Sequence, residues 1–293
     1  MDTLLKGMPV RRQIEKEIKE DIISLKDKNI FPKIATFRIG DDQGEKYYES
    51  SIIKRATELG IFVESVVLGE DTDTEIAKSA LEELNKEDGI HGIIMLMPFP
   101  KNINEAVLID TLSPEKDIDA ITKESYGNLF LNSQSGFKAC TAEACMEIMK
   151  YYGIELKGKK ITILGRSNRV GKPLFLMTLN EHATPTVCHT RTKEEDFKNA
   201  VKNADIVVLA TGQTESYGEE LFREGQIIID VGTGKGRNGK IAGDFDVSTL
   251  ADKDKTLIYT PVPGGVGTVT TALLLRNVIK AAKNICKNSG ADN

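Results

Sequence analysis

The chain has little histidine. Its three histidines, His91, His182 and His189, include no two at the spacing of a shared ligand set, which argues against a structural or catalytic metal. Tryptophan is absent, and the four cysteines, Cys140, Cys145, Cys188 and Cys286, have neither C-x-x-C spacing nor the density of a secreted scaffold. They read as reduced thiols. No apolar run reaches the roughly 18 residues that a membrane helix needs, and the opening MDTLLKGMPVRRQIEKEIKE lacks the apolar core of a signal peptide. The expected location is the cytoplasm. A net charge of -5 leaves no dominant basic face, which argues against a nucleic-acid partner.

What the chain does have is alternation. At 293 residues it exceeds the usual single-domain size, so two lobes are expected. Ile14, Ile18, Ile22 and Leu25 recur at helical spacing over Val10 to Lys26. A strand over Ile34 to Ile39, a helix over Glu45 to Leu59, a strand over Phe62 to Leu68, a helix over Asp73 to Asn85 and a strand from Gly92 to Met97 follow. Strand and helix in turn predict a parallel sheet with right-handed crossovers. Ser113 to Asp119 reads as a polar loop and the stretch to Gly136 as irregular, before a connecting helix near Thr141 to Tyr152. The pattern then resumes with strands over Lys160 to Leu164, Thr186 to His189, Asp205 to Ala210 and Gln226 to Val231, and a closing helix over Thr270 to Ile285 predicted to return to the first lobe.

One stretch organises the second half. In KKITILGRSNRVGKP, Lys159 to Pro173, a β-branched run breaks at Gly165, and Gly171 and Pro173 precede an apolar segment. A strand, a glycine turn and a helix N-terminus aim free N–H groups at one point, which suits a phosphate. Ser167 occupies the place of the second glycine in G-x-G-x-x-G, so this segment alone fits a dinucleotide turn or an ordinary strand-to-helix connection.

Ligands of open α/β sheets collect at the carboxyl ends of strands, which here carry Gly165, Arg166, Ser167, Thr190, Arg191, Thr211, Gly232 and Thr233. The second strand of the lobe ends in His189-Thr190-Arg191 without the carboxylate that holds NAD ribose, and Arg166 lies in the neighbouring turn. NADP is favoured, with NAD as the alternative, and Arg191 as a plain surface charge is the competing assignment. In the tract Gly232 to Gly243, Gly232 is the candidate functional position and the other glycines mark hairpin and loop.

Gly165-Arg166-Ser167-x-x-Val170-Gly171-x-Pro173 and Thr260-Pro261-Val262-Pro263-Gly264-Gly265-Val266-Gly267 together resemble the methylenetetrahydrofolate dehydrogenase/cyclohydrolase family. Pro114 to Asp119, Cys140-Thr141, Ala210 to Gln213 and Asp230-Val231-Gly232 match in the same order along nearly the whole length. The resemblance implies an α/β protein of two lobes: an N-terminal substrate lobe (1–140 plus 272–293) and a C-terminal Rossmann-like dinucleotide-binding lobe (141–271). It further implies a homodimer, methylenetetrahydrofolate in the cleft between the lobes and the dinucleotide on the second. Tyr48 would stack on or hydrogen-bond near the reacting bridge, and Asp119 would anchor the amino edge of the pterin. Pro261, Gly264 and Gly265 would wall the folate cleft, and Thr141 and Thr233 would touch the cofactor or cap a helix or turn.

The sequence departs from the family where it matters most. Members with both activities carry a Lys four residues after the Tyr and a Gln before the Pro-x-Pro turn; here those positions hold Ile52 and Leu96. Lys54 is no substitute, because six helical positions turn about 600°, roughly 240° net, away from Tyr48. Lys54, Glu49 and Ser51 read as helix-surface residues. Hydride transfer needs positioning and tolerance of a cation, whereas hydrolysis of the methenyl bridge needs an acid/base group. The resemblance with these two replacements implies a dehydrogenase whose cyclohydrolase step is lost or very weak. An enzyme keeping both activities through a substitute group, and a non-catalytic binding module, are the alternatives. Thr268 and Ala142 stand where the family commonly has Pro.

Overall fold

The computed structural model describes residues 3–250 and 256–289. The chain divides into two compact units, Met1–Arg12 with Ala139–Thr270 and Gln13–Lys138 with Thr271–Asn293. Strand β1 (Thr3–Leu4) opens the first unit and helix α1 (Gly7–Lys26) leads into the second.

The second unit then alternates β2 (Lys33–Ile39), α2 (Gln43–Leu59), β3 (Phe62–Leu68), α3 (Thr74–Lys86) and β4 (Gly92–Met95). The three strands form a parallel sheet in the order β3-β2-β4. Central β2 and edge strand β4 are buried along nearly their whole length, while the other edge strand, β3, is half-exposed to exposed. Phe37, Ile39, Leu81, Ile93 and Leu108 lie in its core. Asp42 caps α2 by accepting from Gly44 and Glu45 N–H groups, and Gly60 ends it in a left-handed conformation.

Two helices lie where the sequence suggests none: α4 (Glu105–Thr111) and α5 (Lys123–Phe130), the latter inside the stretch read as irregular. Both are at most eight residues long, too short for a periodic apolar stripe to be recognised.

In the first unit, α6 (Cys140–Tyr151), β5 (Lys160–Leu164), α7 (Gly171–Asn180), β6 (Thr184–Cys188), α8 (Glu194–Asn203), β7 (Ile206–Leu209) and β8 (Ile227–Asp230) follow, α6 and the four strands within a residue or two of the predicted bounds. A hairpin of β9 (Gly234–Lys235) and β10 (Ile241–Ala242) occupies the glycine tract, and β11 (Ile258–Tyr259) precedes the proline-glycine turn. The sheet order is β1-β11-β8-β7-β5-β6 with every pairing parallel. Strand direction of growth reverses between β5 and β7, the switch point at which such sheets bind ligands. Edge strand β1 and its neighbour β11 are new relative to the sequence: each is two residues long, and they pair with each other across the length of the chain.

Helix α9 (Gly267–Ser289) closes the chain. From it, Asn277 donates to the Ile118 carbonyl at 2.8 Å and Lys280 to the Gly136 carbonyl, so it packs on the second unit, which holds the strands and helices of the N-terminal lobe in the sequence reading. Among the described residues no helix is long and apolar enough to cross a membrane, and no cluster of His, Cys, Asp and Glu is arranged to hold a metal. Cys140, Cys145 and Cys188 are buried free thiols; the side chain of Cys286 lies outside the described residues.

Candidate functional site

Two sets of side chains are assembled, one in each unit. In the first, the β5 turn is shaped by close backbone approach. Gly165 has φ +123°, and a Cβ on it would stand 2.3 Å from the Ala210 carbonyl oxygen; one on Gly171 would stand 2.1 Å from the Gly165 carbonyl oxygen. Only glycine lets the turns after β5 and β7 and the start of α7 meet so closely. Ser167 Oγ accepts from the Val170 N–H at 3.1 Å, turning the loop, and Arg166, Ser167 and Asn168 are exposed.

At the end of β6, His189 Nδ1 accepts from the Arg191 N–H and Thr192 closes back on His189, leaving Thr190 and Arg191 exposed at the rim. Thr211 and Gly232, at the ends of β7 and β8, are held by a pair of buried carboxylates. Asp244 Oδ2 accepts from Thr211 N–H and hydroxyl, both at 2.8 Å, and from Gly212 N–H at 3.0 Å. Asp230 accepts from Gly232, Asp244 and Phe245 N–H groups. Burial pushes the Asp230 carboxyl up to about 6, with the charge of Asp244 adding to it and the three N–H donors opposing it. A Cβ on Gly232 would stand 2.2 Å from Asp244 Oδ1, so glycine at this position is demanded by the carboxylate pair. Thr233 is exposed beside it, and Thr141 lies half-buried in the first turn of α6.

The proline-glycine tract belongs to the same unit. Gly264 has φ +109° and its carbonyl accepts from Gly7 N–H at 2.8 Å, while buried Gly265 curls against the Pro261 carbonyl and Gly7. Pro261 is half-buried.

In the second unit, Tyr48 is 41% exposed on α2, and Ile52 and Leu96 are 0% and 2% exposed. Asp117 is the hub of the loop that carries Asp119. It accepts from the Ile121 and Thr122 N–H groups and from the Thr122 and Ser125 hydroxyls, at 2.7–3.0 Å, and stays raised because burial outweighs these bonds. That cage fixes Ala120 at φ +54° and leaves Asp119 half-exposed next to it.

Glu49 corrects the sequence reading. It is buried: Oε1 accepts from Thr36 at 2.7 Å and Ser65 at 2.6 Å, and Oε2 from Arg38 Nε at 2.8 Å. Burial works against its ionisation, but those hydrogen bonds and the Arg38 charge hold it below the usual carboxylate range. The face of α2 made of Glu45, Glu49, Ile52, Ala56 and Leu59 thus packs inward with two carboxylates on it. The one available signal was Arg38, a cation between Phe37 and Ile39 in a strand that is otherwise mostly apolar.

A family model described as tetrahydrofolate dehydrogenase/cyclohydrolase, catalytic domain, matches residues 5–119, and one for the NAD(P)-binding domain of the same proteins matches residues 139–286. The chain belongs to the tetrahydrofolate dehydrogenase/cyclohydrolase family.

The family's two domains correspond to what the fold shows, a catalytic α/β domain and an NAD(P)-binding one. The chain is 43% identical over 280 residues to the bifunctional protein FolD of Clostridium perfringens, covering 96% of this chain and 99% of that one. Among solved structures, the bifunctional FolD of Campylobacter jejuni superposes with a TM-score of 0.92 at 36% identity, over 97% of this chain and 99% of its own. That of Trypanosoma brucei, complexed with NADP cofactor and inhibitor, gives 0.88 at 31% over 97% and 98%. Within the family's NAD(P)-binding domain, Gly165, Arg166, Ser167, Gly171, Thr190, Arg191, Thr211, Gly232 and Thr233 lie at or just beyond the carboxyl edge of one sheet. Tyr48, Ile52, Leu96 and Asp119 lie in the unit that carries the family's catalytic domain.

Proposed function

We propose that the protein is an NADP-linked methylenetetrahydrofolate dehydrogenase with little or no cyclohydrolase activity. The observation that carries this reading is the pair Ile52 and Leu96, both fully buried and apolar where bifunctional members of the family bear Lys and Gln. An aliphatic side chain neither activates water nor delivers a proton to a folate nitrogen, and so the hydrolytic step lacks its acid/base group. Hydride transfer needs neither.

The glycine-lined turn of Gly165 and Gly171 fits a pyrophosphate, and Thr190, Arg191 and Arg166 supply the hydroxyl and cations that suit a ribose phosphate. When bound, the nicotinamide ring accepts the hydride. Tyr48 packs beside the one-carbon bridge, and Asp119, held out by the Asp117 cage, takes the paired N–H donors of the pterin. Gly264, Gly265 and Pro261 shape the folate wall, and the working form is a homodimer.

A second reading, that hydrolysis is retained through a substitute group, is favoured by one observation: Glu45 is a buried carboxyl on the same inward stripe of α2 as Ile52. A paired assay separates the two. NADP reduction on adding methylenetetrahydrofolate, with methenyltetrahydrofolate hydrolysed no faster than in buffer, is the expected result; robust enzymatic hydrolysis would defeat the first reading, and absence of NADP reduction would defeat both.

A further inference from the structure

We infer that Glu45 is the counter-charge for the one-carbon bridge, its carboxylate standing beside Tyr48 and stabilising the positive charge that develops on the folate as the hydride leaves. The inference rests on the dehydrogenase reading and deepens it.

Glu45 is 7% exposed, and its Oε2 is buried without a hydrogen-bond partner among the described residues. An anionic oxygen left in that condition costs free energy and asks for an occupant. Its neighbour one turn on, Glu49, differs in this respect, since Thr36, Ser65 and Arg38 fill its acceptor sites. The charges that bear on Glu45 are those of Asp42, Glu49 and Arg38. Arg38, the one cation among them, already serves Glu49, the Gly40 carbonyl and Asp41. Burial, followed by the charge of Asp42, raises the Glu45 carboxyl, Glu49 adds to this and Arg38 opposes it. Among the described residues, Arg38 and the N-terminal end of α2 answer the negative charge there only in part.

Position supplies the rest. Glu45 lies in the first turn of α2, which rises from the carboxyl end of β2, the edge where ligands of such sheets gather. It precedes Tyr48 by three residues, so the two are neighbours on the helix surface with Cβ atoms about 5–6 Å apart. The residue one turn beyond Tyr48 is the apolar Ile52. A carboxylate on one side of the tyrosine and the apolar Ile52 on the other give a site whose charge complements an amidinium product. In the reaction the methylene carbon gives up a C–H bond with both electrons to the nicotinamide ring. The positive charge passes from the ring to the N–C–N bridge, no proton moves, and Glu45 emerges unchanged.

The test compares a cationic and a neutral ligand on the intact protein. Methenyltetrahydrofolate and tetrahydrofolate are titrated against wild type, Glu45→Gln and Glu45→Asp, with steady-state NADP reduction measured alongside. Glu45→Gln is expected to weaken methenyltetrahydrofolate about tenfold, leave tetrahydrofolate within about twofold, and lower kcat with KM for methylenetetrahydrofolate little changed. Glu45→Asp, which keeps the charge and controls for folding, should retain most of the preference. The kcat of wild type should fall as pH drops through the raised range of this carboxyl, and that of Glu45→Gln should not. Equal weakening of both ligands, or no change in either, would overturn the proposal, as would enzymatic hydrolysis in wild type that Glu45→Gln abolishes. Absence of NADP reduction in wild type would refute the dehydrogenase reading instead, and the two ligand affinities would still decide the charge preference.

Discussion

Arg38 Nε donates to Glu49 Oε2 at 2.8 Å, and both side chains are more than nine-tenths withdrawn from solvent. The pair ties central strand β2 to helix α2, and Ser65 on β3 joins it through Glu49. Removing one member strands a buried charge, which costs about 3–5 kcal/mol. Arg38→Met and Glu49→Gln should each lower the free energy of unfolding by that order in urea titration. The double variant Arg38→Met/Glu49→Gln should recover part of the loss; strict additivity of the two single effects would show that the charges do not depend on each other.

Asp230 gives the NAD(P)-binding unit a pH dependence. Its carboxyl is raised from 3.8 to about 6 by burial, so the folded protein binds this proton more tightly than the unfolded chain. The resulting contribution, about 3 kcal/mol, is fully present below pH 3.8 and is lost as pH rises through about 6. The carbon-13 resonance of the Asp230 carboxyl should titrate near 6, and a midpoint at the ordinary aspartate value would contradict the assignment.

Replacing Ile52 by Lys and Leu96 by Gln tests the proposed loss of hydrolysis. The double variant should hydrolyse methenyltetrahydrofolate measurably above the spontaneous rate. Because Ile52 is wholly buried, the new amine carries a desolvation cost, and stability should fall by a few kcal/mol with a lysine pKa well below its usual value. A folded double variant with no hydrolytic gain would mean that more than these two positions separates this chain from bifunctional members.

Arg191 at the rim of β6 addresses the proposed cofactor preference. Arg191→Ala should raise KM for NADP about tenfold and leave KM for NAD nearly unchanged, since one charge-assisted contact to a phosphate is at stake. Equal effects on both dinucleotides would return Arg191 to the role of an exposed surface cation.

Much of this fold is legible in the sequence because its signals are local. The run Ile161 to Leu164, the glycines at 165 and 171 and Pro173 announce a strand, a turn and a helix, and they lie as β5 and the start of α7. What escaped was non-local. Strands β1 and β11 exist by pairing Thr3 with Ile258 and Leu4 with Tyr259, a match that neither segment reveals alone. Glu49 looks like surface on a helix read by itself, since the cation that neutralises it sits on a strand eleven residues earlier. The need for glycine at 232 is likewise set by Asp244, beyond a hairpin. Candidate ligand residues were found where they end strands, whereas the carboxylates that brace them were found only in three dimensions.

Pairing of Thr3–Leu4 with β11 has a practical corollary for dissection of the protein. The polypeptide passes from one unit to the other at residues 12/13, 138/139 and 270/271, so no single cut yields two whole halves. An excised fragment starting at Ala139 would leave Ile258 and Tyr259 as a raw border open to self-association. Splicing the first dozen residues back through a permuted linkage would cover it again.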